Sequence, residues 1–170
     1  MPGKLAGMPS TQDQDDPALP PGTVEVLQAA TRMLAGVALR SVEVLDAAVT
    51  LPQFRLLAVL ADLGPVASGL AAQTLGLDRS TITRLADKMV AAGHVTRGTD
   101  PRHRGVVTLE LTESGRDLVA AASGWRQREL ARIMGQLTPG EQAAVTVTLG
   151  LLVRAAGEEY GVTANRPIPL

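Results

Sequence analysis

The chain has 170 residues, of which 45% are apolar but only 2% aromatic, so it is long enough for one core that aliphatic side chains must fill. Its single Trp, Tyr and Phe are too few for a platform on which single-stranded nucleic acid could stack. The formal charge of -1 excludes a uniformly basic surface, and the lack of cysteine excludes disulfides, thiol redox sensing and thiolate metal sites.

Both ends of the chain are predicted to lie outside the folded part. Residues 1–20 are polar and rich in proline, which predicts a disordered arm, and residues 161–170 contain two prolines, which predict a tail. The N-terminus has no apolar core of a signal peptide, and no apolar run approaches the roughly 18 residues that span a bilayer. We expect a cytoplasmic protein that does not associate with membranes.

Two helices are predicted before the central part of the chain. Apolar residues recur at helical spacing from Thr23 to Ala48, and we expect residues 21–49 to form an N-terminal dimerisation helix. Thr50, followed by a proline and by Gln53, is typical of a capped helix start, and this second helix should end near Gly64. The residues of the second helix expected to face inward are Phe54, Leu57, Leu60 and Ala61.

A helix-turn-helix is predicted next. Residues 68–75 form a short apolar-faced helix that Gly76 should end, and Asp78 is placed to cap a longer helix that runs to Ala92 and is closed by Gly93. Two short helices joined by a glycine-containing turn are the pattern of this motif. Two β-capable segments, residues 94–97 and 106–111, follow and predict a hairpin with a long basic tip.

The remaining chain is predicted to be helical. One long helix is expected over residues 114–136, and Thr138 with Glu141 forms a capping box before a last helix that runs to about Glu159. The predicted fold is therefore mainly α with a small β-hairpin. A winged helix-turn-helix lobe at residues 50–112 is followed by C-terminal dimerisation helices at residues 113–160.

The longer helix of this motif has the pattern of a DNA recognition helix. Its apolar stripe contains Ile82, Leu85, Ala86 and Met89, and hydroxyl and basic side chains occupy the other faces in its N-terminal half. Arginine can bind guanine in the major groove, and hydroxyls can contact bases or phosphates. The residues of this helix that we predict to contact DNA are Arg79, Ser80, Thr81, Thr83, Arg84 and Lys88.

For two residues of this segment an ordinary structural role is open. Asp78 is more simply a helix cap than a DNA contact, and Arg84 could be a solvated surface arginine. Asp87 lies further along the same face, where we expect it to clear the duplex. The segment from Asp78 to Gly105 nevertheless contains six basic and three acidic side chains, a net charge of +3.

The hairpin tip is the second predicted DNA contact. Arg102 and Arg104 lie two residues apart in a loop of Pro, Gly and Asp, from which both could enter the negative potential of a minor groove. A flexible charged turn is the alternative. The only histidines, His94 and His103, have too few acidic neighbours for a metal site, and no catalytic motif or cofactor-binding loop is present, so neither an enzyme nor a bound cofactor is expected.

Three successive segments, LPQFRLLAVLADLG, LAAQTLGLDRSTITRLADKMVAAGHVTR and DPRHRGVVTLELTESG, together resemble the MarR family of bacterial regulators over about residues 51–115. The resemblance implies an obligate homodimer with two winged lobes on a pseudo-palindromic operator. It assigns Ser80, Thr81, Thr83 and Arg84 to the major groove and Arg104 to the wing tip. The family usually has an acid at His103 and an arginine at Gly105, so Arg102 is predicted to share the role of Arg104.

The resemblance further implies a small organic or anionic effector bound between the dimer base and the DNA lobe. The residues that we predict to line such a pocket are Phe54, Leu57, Arg97 and Trp125. The leading interpretation is a homodimeric regulator of double-stranded DNA that acts as a repressor. The alternative is a winged-helix module that binds another protein through its basic face and has no operator.

Overall fold

The computed structural model describes residues 19–45, 48–100, 103 and 105–157. The predicted disordered arm lies almost wholly outside these residues, as does the predicted tail. Contacts divide the chain into two units, Met1–Met33 and Leu34–Leu170, and the first helix begins in one and ends in the other. None of the helices in the described part combines the length and apolar character that crossing a membrane would require.

The described residues form mainly helices with one small antiparallel sheet, which confirms the predicted fold class. The helices are α1 (Thr23–Glu43), α2 (Leu51–Leu63), α3 (Ser68–Leu75), α4 (Arg79–Ala91), α5 (Glu113–Met134) and α6 (Pro139–Ala156). The strands are β1 (Val66–Ala67), β2 (Val95–Thr99) and β3 (Val107–Leu111), in the order β1-β3-β2.

The prediction that the first helix continues to Ala48 is wrong, because α1 ends at Glu43. The Leu45 amide donates to the carbonyl oxygen of Val42 at 3.1 Å, a short-range bond that tightens the chain out of the helix. Leu45 and Val49 are both buried in the core that α2 contributes to. The apolar spacing beyond Glu43 therefore reflects a turn that returns to the core, which helical periodicity alone cannot distinguish from one more helical turn.

Helix α2 lies at the centre of this core. The Thr50 amide donates to Gln53 Oε1 at 2.7 Å, as the predicted start signal requires. Burial extends beyond the single predicted face, since Leu56 and Val59 are buried as well as Phe54, Leu57 and Leu60. Ala61, which was predicted to face inward, is exposed. A helix that packs against several elements needs apolar residues on more than one face.

The sheet contains a strand that the sequence did not predict. β1 has two residues, too few to show alternation, and Val66 pairs with Leu109 of β3. β2 pairs with β3 from Val95 opposite Leu111 to Thr99 opposite Val107. The hairpin tip is therefore shorter than the predicted loop, because Gly98 and Thr99 belong to the strand.

The last two helices begin at side-chain caps. The Thr112 hydroxyl accepts a hydrogen bond from the Gly115 amide at 3.1 Å and caps α5. The helix begins at Glu113, one residue before its predicted start. Before α6, the Thr138 amide donates to Glu141 Oε2 at 2.8 Å, which confirms the capping box. α6 ends at Ala156, and its predicted end at Glu159 lies outside the described residues. No residue of α6 is buried within the single chain.

Candidate nucleic-acid interface

The start of α4 is fixed by Asp78. One oxygen of its carboxylate accepts hydrogen bonds from the amides of Ser80 and Thr81 at 2.8 and 2.9 Å, as an N-cap does. The Ser80 hydroxyl donates to the same oxygen at 2.6 Å, and the Thr81 hydroxyl donates to the other at 2.7 Å. The hydroxyl bonds, followed by the amide bond from Thr81, hold the pKa of Asp78 well below its usual range.

The two sides of α4 differ as the helical wheel predicts. Ile82, Ala86 and Met89 are buried in the core, and Leu85 is half-buried against it. The residues predicted to contact DNA lie elsewhere on the helix. Thr81 is half-buried, and the exposed members of the set are Arg79, Ser80, Thr83, Arg84 and Lys88.

The hydroxyls of this surface are held in place by bonds within the helix. The Thr83 hydroxyl donates to the carbonyl oxygen of Arg79 at 2.7 Å, and those of Ser80 and Thr81 donate to Asp78. Their hydrogens are therefore engaged, whereas their oxygen lone pairs can still accept. In this arrangement the hydroxyls are suited to accept hydrogen bonds from base amino groups, and a phosphate contact requires them to turn away from these partners.

The charges along α4 are not equivalent. The carboxylate before α4 and the one within it are both engaged within the protein, Asp78 as the cap and Asp87 in an ion pair. Arg79, Arg84 and Lys88 have no ion-pair partner among the residues that the structure describes. The exposed face of α4 therefore presents positive charge that the nearby acids do not neutralise.

Arg97 of β2 is the partner of Asp87. Its Nη1 lies 2.6 Å from Asp87 Oδ1, and its Nη2 donates to the carbonyl oxygen of Thr83 at 3.3 Å. The sequence predicted Arg97 as a pocket residue and Asp87 as an acid that clears the duplex. In the structure the two side chains connect the hairpin to α4, through a contact between residues ten positions apart that no local sequence motif indicates.

The structure describes the two strands of the hairpin up to the tip, where the second DNA contact is predicted. The strands approach so closely that a Cβ on Gly98 would lie 2.9 Å from Thr108 Oγ1, which accounts for glycine there. The Asp100 amide donates to the carbonyl oxygen of Val106 at 3.0 Å, so pairing continues to the edge of the tip. Arg102 and Arg104, the predicted minor-groove contacts, lie outside the described residues.

The junction between the hairpin and α5 was not predicted from the sequence. The Thr112 hydroxyl donates to the carbonyl oxygen of Gly93 at 2.7 Å, while its amide donates to that of His94 at 3.1 Å. His94 Nδ1 lies 2.9 Å from Ser114 Oγ. A Cβ on Gly115 would collide with the His94 carbonyl oxygen. This junction connects the start of α5 to the residue before β2. In the sequence, the spacing of Thr112 and Gly115 could have indicated it.

A concave surface, which we call the α2–α4 cavity, lies beside α4. It has a volume of about 390 Å³, and its lining includes Thr81, Arg84 and Lys88 of the predicted DNA-contacting set together with Arg55 of α2. Sequence analysis did not predict Arg55, because it lies on a helix interpreted only as core.

The four residues predicted to line an effector pocket occupy different environments. Phe54 and Leu57 are buried in the core, Arg97 is paired with Asp87, and Trp125 is half-buried on α5. None of the four lines the α2–α4 cavity. As to metals, the described part of the chain contains no group of three His, Asp or Glu side chains that could hold an ion.

The capped helix-turn-helix and its paired hairpin define a winged helix-turn-helix protein, and comparisons with known proteins give its family. The model of the MarR family matches residues 49–104. The HTH-type transcriptional repressor NicR of Pseudomonas putida is 31% identical over 108 residues, which are 64% of this chain and 68% of that protein. The chain belongs to the MarR family.

Solved structures agree with this assignment. RV1404 from Mycobacterium tuberculosis is 33% identical, with a TM-score of 0.74 over 84% of this chain and all of that one. A MarR family protein from Bacillus stearothermophilus is 29% identical, with a TM-score of 0.70 over 83% of this chain and all of that one. The fold is thus that of a family of transcriptional regulators, and one relative in it, NicR, is named as a repressor.

Proposed function

We propose that this chain is a transcriptional repressor that binds a pseudo-palindromic operator in double-stranded DNA as a homodimer. The observation that carries the proposal is the charge arrangement on α4. Its exposed cations, Arg79, Arg84 and Lys88, have no acidic partner among the described residues, whereas Asp78 and Asp87 are both engaged internally. Such a face attracts phosphate and leaves its guanidinium groups available for bases.

The roles within this surface follow from position along α4. Arg84 is exposed opposite the buried stripe, from which its guanidinium can reach guanine O6 and N7 in a major groove. Ser80, Thr81 and Thr83, in the first turns, supply hydroxyl oxygens for base edges or the backbone. Arg79 and Lys88 are assigned to phosphates on either side, and Arg102 and Arg104 of the wing tip to the adjacent minor groove.

The proposed dimer rests on α6. Five of its large apolar side chains are between 40% and 61% exposed in the single chain: Val147, Leu149, Leu151, Leu152 and Val153. A helix this apolar with no buried residue needs a covering surface. A second copy of the chain supplies one, and the resulting two-fold symmetry pairs two weak half-site contacts on one operator.

Selection and sequencing of the duplexes bound by the purified protein tests this proposal. We expect enrichment of an inverted repeat whose half-sites are centred about one helical turn of DNA, roughly 10 base pairs, or a multiple of it apart. Enrichment of a single asymmetric site would contradict the dimeric arrangement. If no sequence is enriched and binding is uniformly weak, the protein-binding module becomes the better interpretation.

A further inference from the structure

Asp78 sets the direction of two hydroxyl hydrogen bonds at the start of α4. Its lowered pKa keeps the carboxylate ionised at neutral pH, so both oxygens can only accept. The hydroxyls are therefore the donors, that of Ser80 to Oδ1 at 2.6 Å and that of Thr81 to Oδ2 at 2.7 Å. A distance of 2.6 Å is typical of a strong, charge-assisted hydrogen bond.

The carboxylate of Asp78 has no acceptor position left for DNA. Its oxygens accept four hydrogen bonds, from the amides and the hydroxyls of Ser80 and Thr81. An ionised carboxylate offers roughly four acceptor positions, and all of them are used here. A base that reaches this turn of α4 therefore meets a hydroxyl oxygen rather than the carboxylate.

Ser80 is the more accessible hydroxyl of the pair. It is exposed, whereas Thr81 is half-buried. Among the residues that the structure describes, none donates a hydrogen bond to Ser80 Oγ, so its lone pairs are open to a ligand. Thr83 is also exposed, but its hydroxyl donates to the carbonyl oxygen of Arg79, a bond within the helix that depends on no other side chain.

The engaged proton restricts which bases Ser80 can contact. A serine hydroxyl ordinarily tolerates any base, because it can both donate and accept. In the major groove, adenine and cytosine present amino groups that donate, whereas guanine and thymine present oxygens that accept. Phosphate oxygens accept as well. With its proton held by Asp78, the Ser80 hydroxyl is complementary to the amino bases alone.

We propose that Asp78 is a positioning residue that makes Ser80 select the amino group of adenine or cytosine over the oxygen of guanine or thymine. This inference rests on the proposed function and makes it more specific. One position in each half-site distinguishes amino from keto bases and takes adenine and cytosine about equally well. Arg84 on the same helix makes the complementary choice, since a guanidinium only donates.

Duplexes that differ at single positions test this inference. The operator is obtained by selection, and each half-site position is then changed symmetrically to all four bases. At one position, the wild type should bind the adenine and cytosine duplexes about two- to ten-fold more tightly than the other two, the scale of one net hydrogen bond. A purine without the exocyclic amino group, in place of that adenine, should cause the same loss. Fluorescence anisotropy gives each apparent Kd.

Two substitutions separate the roles of the hydroxyl and the acid. Ser80→Ala should remove the discrimination, because it deletes the accepting oxygen. Asp78→Ser should reduce it towards one, since a serine there still caps α4 but its single oxygen cannot also hold the hydroxyl protons of Ser80 and Thr81. Asp117→Asn, which removes an exposed carboxylate of α5, should keep it. Ratios of Kd within each variant cancel the general effect of a lost negative charge on DNA affinity.

Thermal unfolding verifies that each variant is folded. Undiminished discrimination in folded Ser80→Ala or Asp78→Ser would overturn the inference, as would a wild type that groups adenine with cytosine at no position. An equal loss of affinity for all four duplexes in Ser80→Ala would also overturn it, because Ser80 would then contact the DNA backbone. Each of these results leaves the proposed function intact. A wild type that binds no duplex would overturn both.

Discussion

Arg97 of β2 and Asp87 of α4 form an ion pair of 2.6 Å, and the same guanidinium donates to the carbonyl oxygen of Thr83. One side chain thus holds the hairpin to α4 at two points. The pair also neutralises the one carboxylate of α4 that lies on its exposed face beyond the cap. We therefore expect Arg97 to affect DNA binding by neutralising Asp87.

Loss of Arg97 should weaken DNA binding by exposing the charge of Asp87 to phosphate. We expect Arg97→Ala to lower affinity about two- to five-fold, the scale of an exposed ion pair, and Asp87→Ala in addition to restore most of it. Fluorescence anisotropy with labelled duplex measures both variants. Arg132→Ala, which breaks the Glu129–Arg132 pair on α5, is the matched control. If the double variant bound no better than Arg97→Ala, Arg97 would itself be a DNA contact.

The Asp78 cap should make stability depend on pH. Hydrogen bonds from Ser80 and Thr81 lower the pKa of Asp78 in the folded state, so the unfolded chain binds this proton more readily. The stabilisation is therefore complete above the unfolded pKa, near 3.8, and is lost as pH falls from there towards the lower folded value.

Urea midpoints at pH 6 and pH 3 test this linkage. Asp78→Asn keeps a capping oxygen but cannot ionise, so the wild type should be the more stable protein at pH 6 and should lose more of its midpoint on acidification. Asp117→Asn on α5 serves as the control. An equal loss in the wild type and in Asp78→Asn would show that the cap does not carry the predicted linkage.

Gly115 should tolerate no side chain. A Cβ there would collide with the carbonyl oxygen of His94, and the backbone on both sides is fixed by the Thr112 bonds. We expect Gly115→Ala to destabilise the protein by about 1–3 kcal/mol, the usual cost of overpacking. Gly69→Ala in α3, where a Cβ meets nothing within 4 Å, should be neutral or stabilising. Thermal or urea unfolding separates the two outcomes.

A charge on α6 should prevent association. Leu152 is 43% exposed in the single chain, and Leu152→Lys would place an ammonium group on the proposed subunit contact. Light scattering at micromolar concentration should give a dimer for the wild type and a monomer for this variant. Leu63→Lys, at a residue 40% exposed at the end of α2, should remain dimeric. A monomeric wild type would show that α6 is not a subunit interface.

Local patterns predicted those parts of the molecule in which neighbours along the chain interact. The caps at Asp78 and Thr138 and the buried stripe of α4 depend on residues within one or two turns, and each is confirmed. The end of α1 was missed because apolar residues after Glu43, such as Leu45 and Val49, are buried in the core without being helical. β1 was missed because its pairing with β3 spans more than forty residues.

The same limit applies to the candidate site. Sequence periodicity identified the exposed face of α4 but not what neutralises Asp87, because Arg97 comes from the hairpin. Arg55 was overlooked for a similar reason. Its helix was interpreted as core, and only packing shows that α2, the turn after α3, and α4 line one concave surface with cations from two helices.

The proposed function depends most on Arg84 as a base-reading side chain of α4. Anisotropy titrations test this role with two duplexes. One is an operator obtained by selection, and the other is the same duplex with its half-site guanines replaced. We expect Arg84→Ala to lower operator affinity by about 1–3 kcal/mol and to reduce discrimination between the two duplexes, while Arg128→Ala changes neither. Unchanged affinity and discrimination in folded, dimeric Arg84→Ala would contradict the assignment of α4 as the recognition helix.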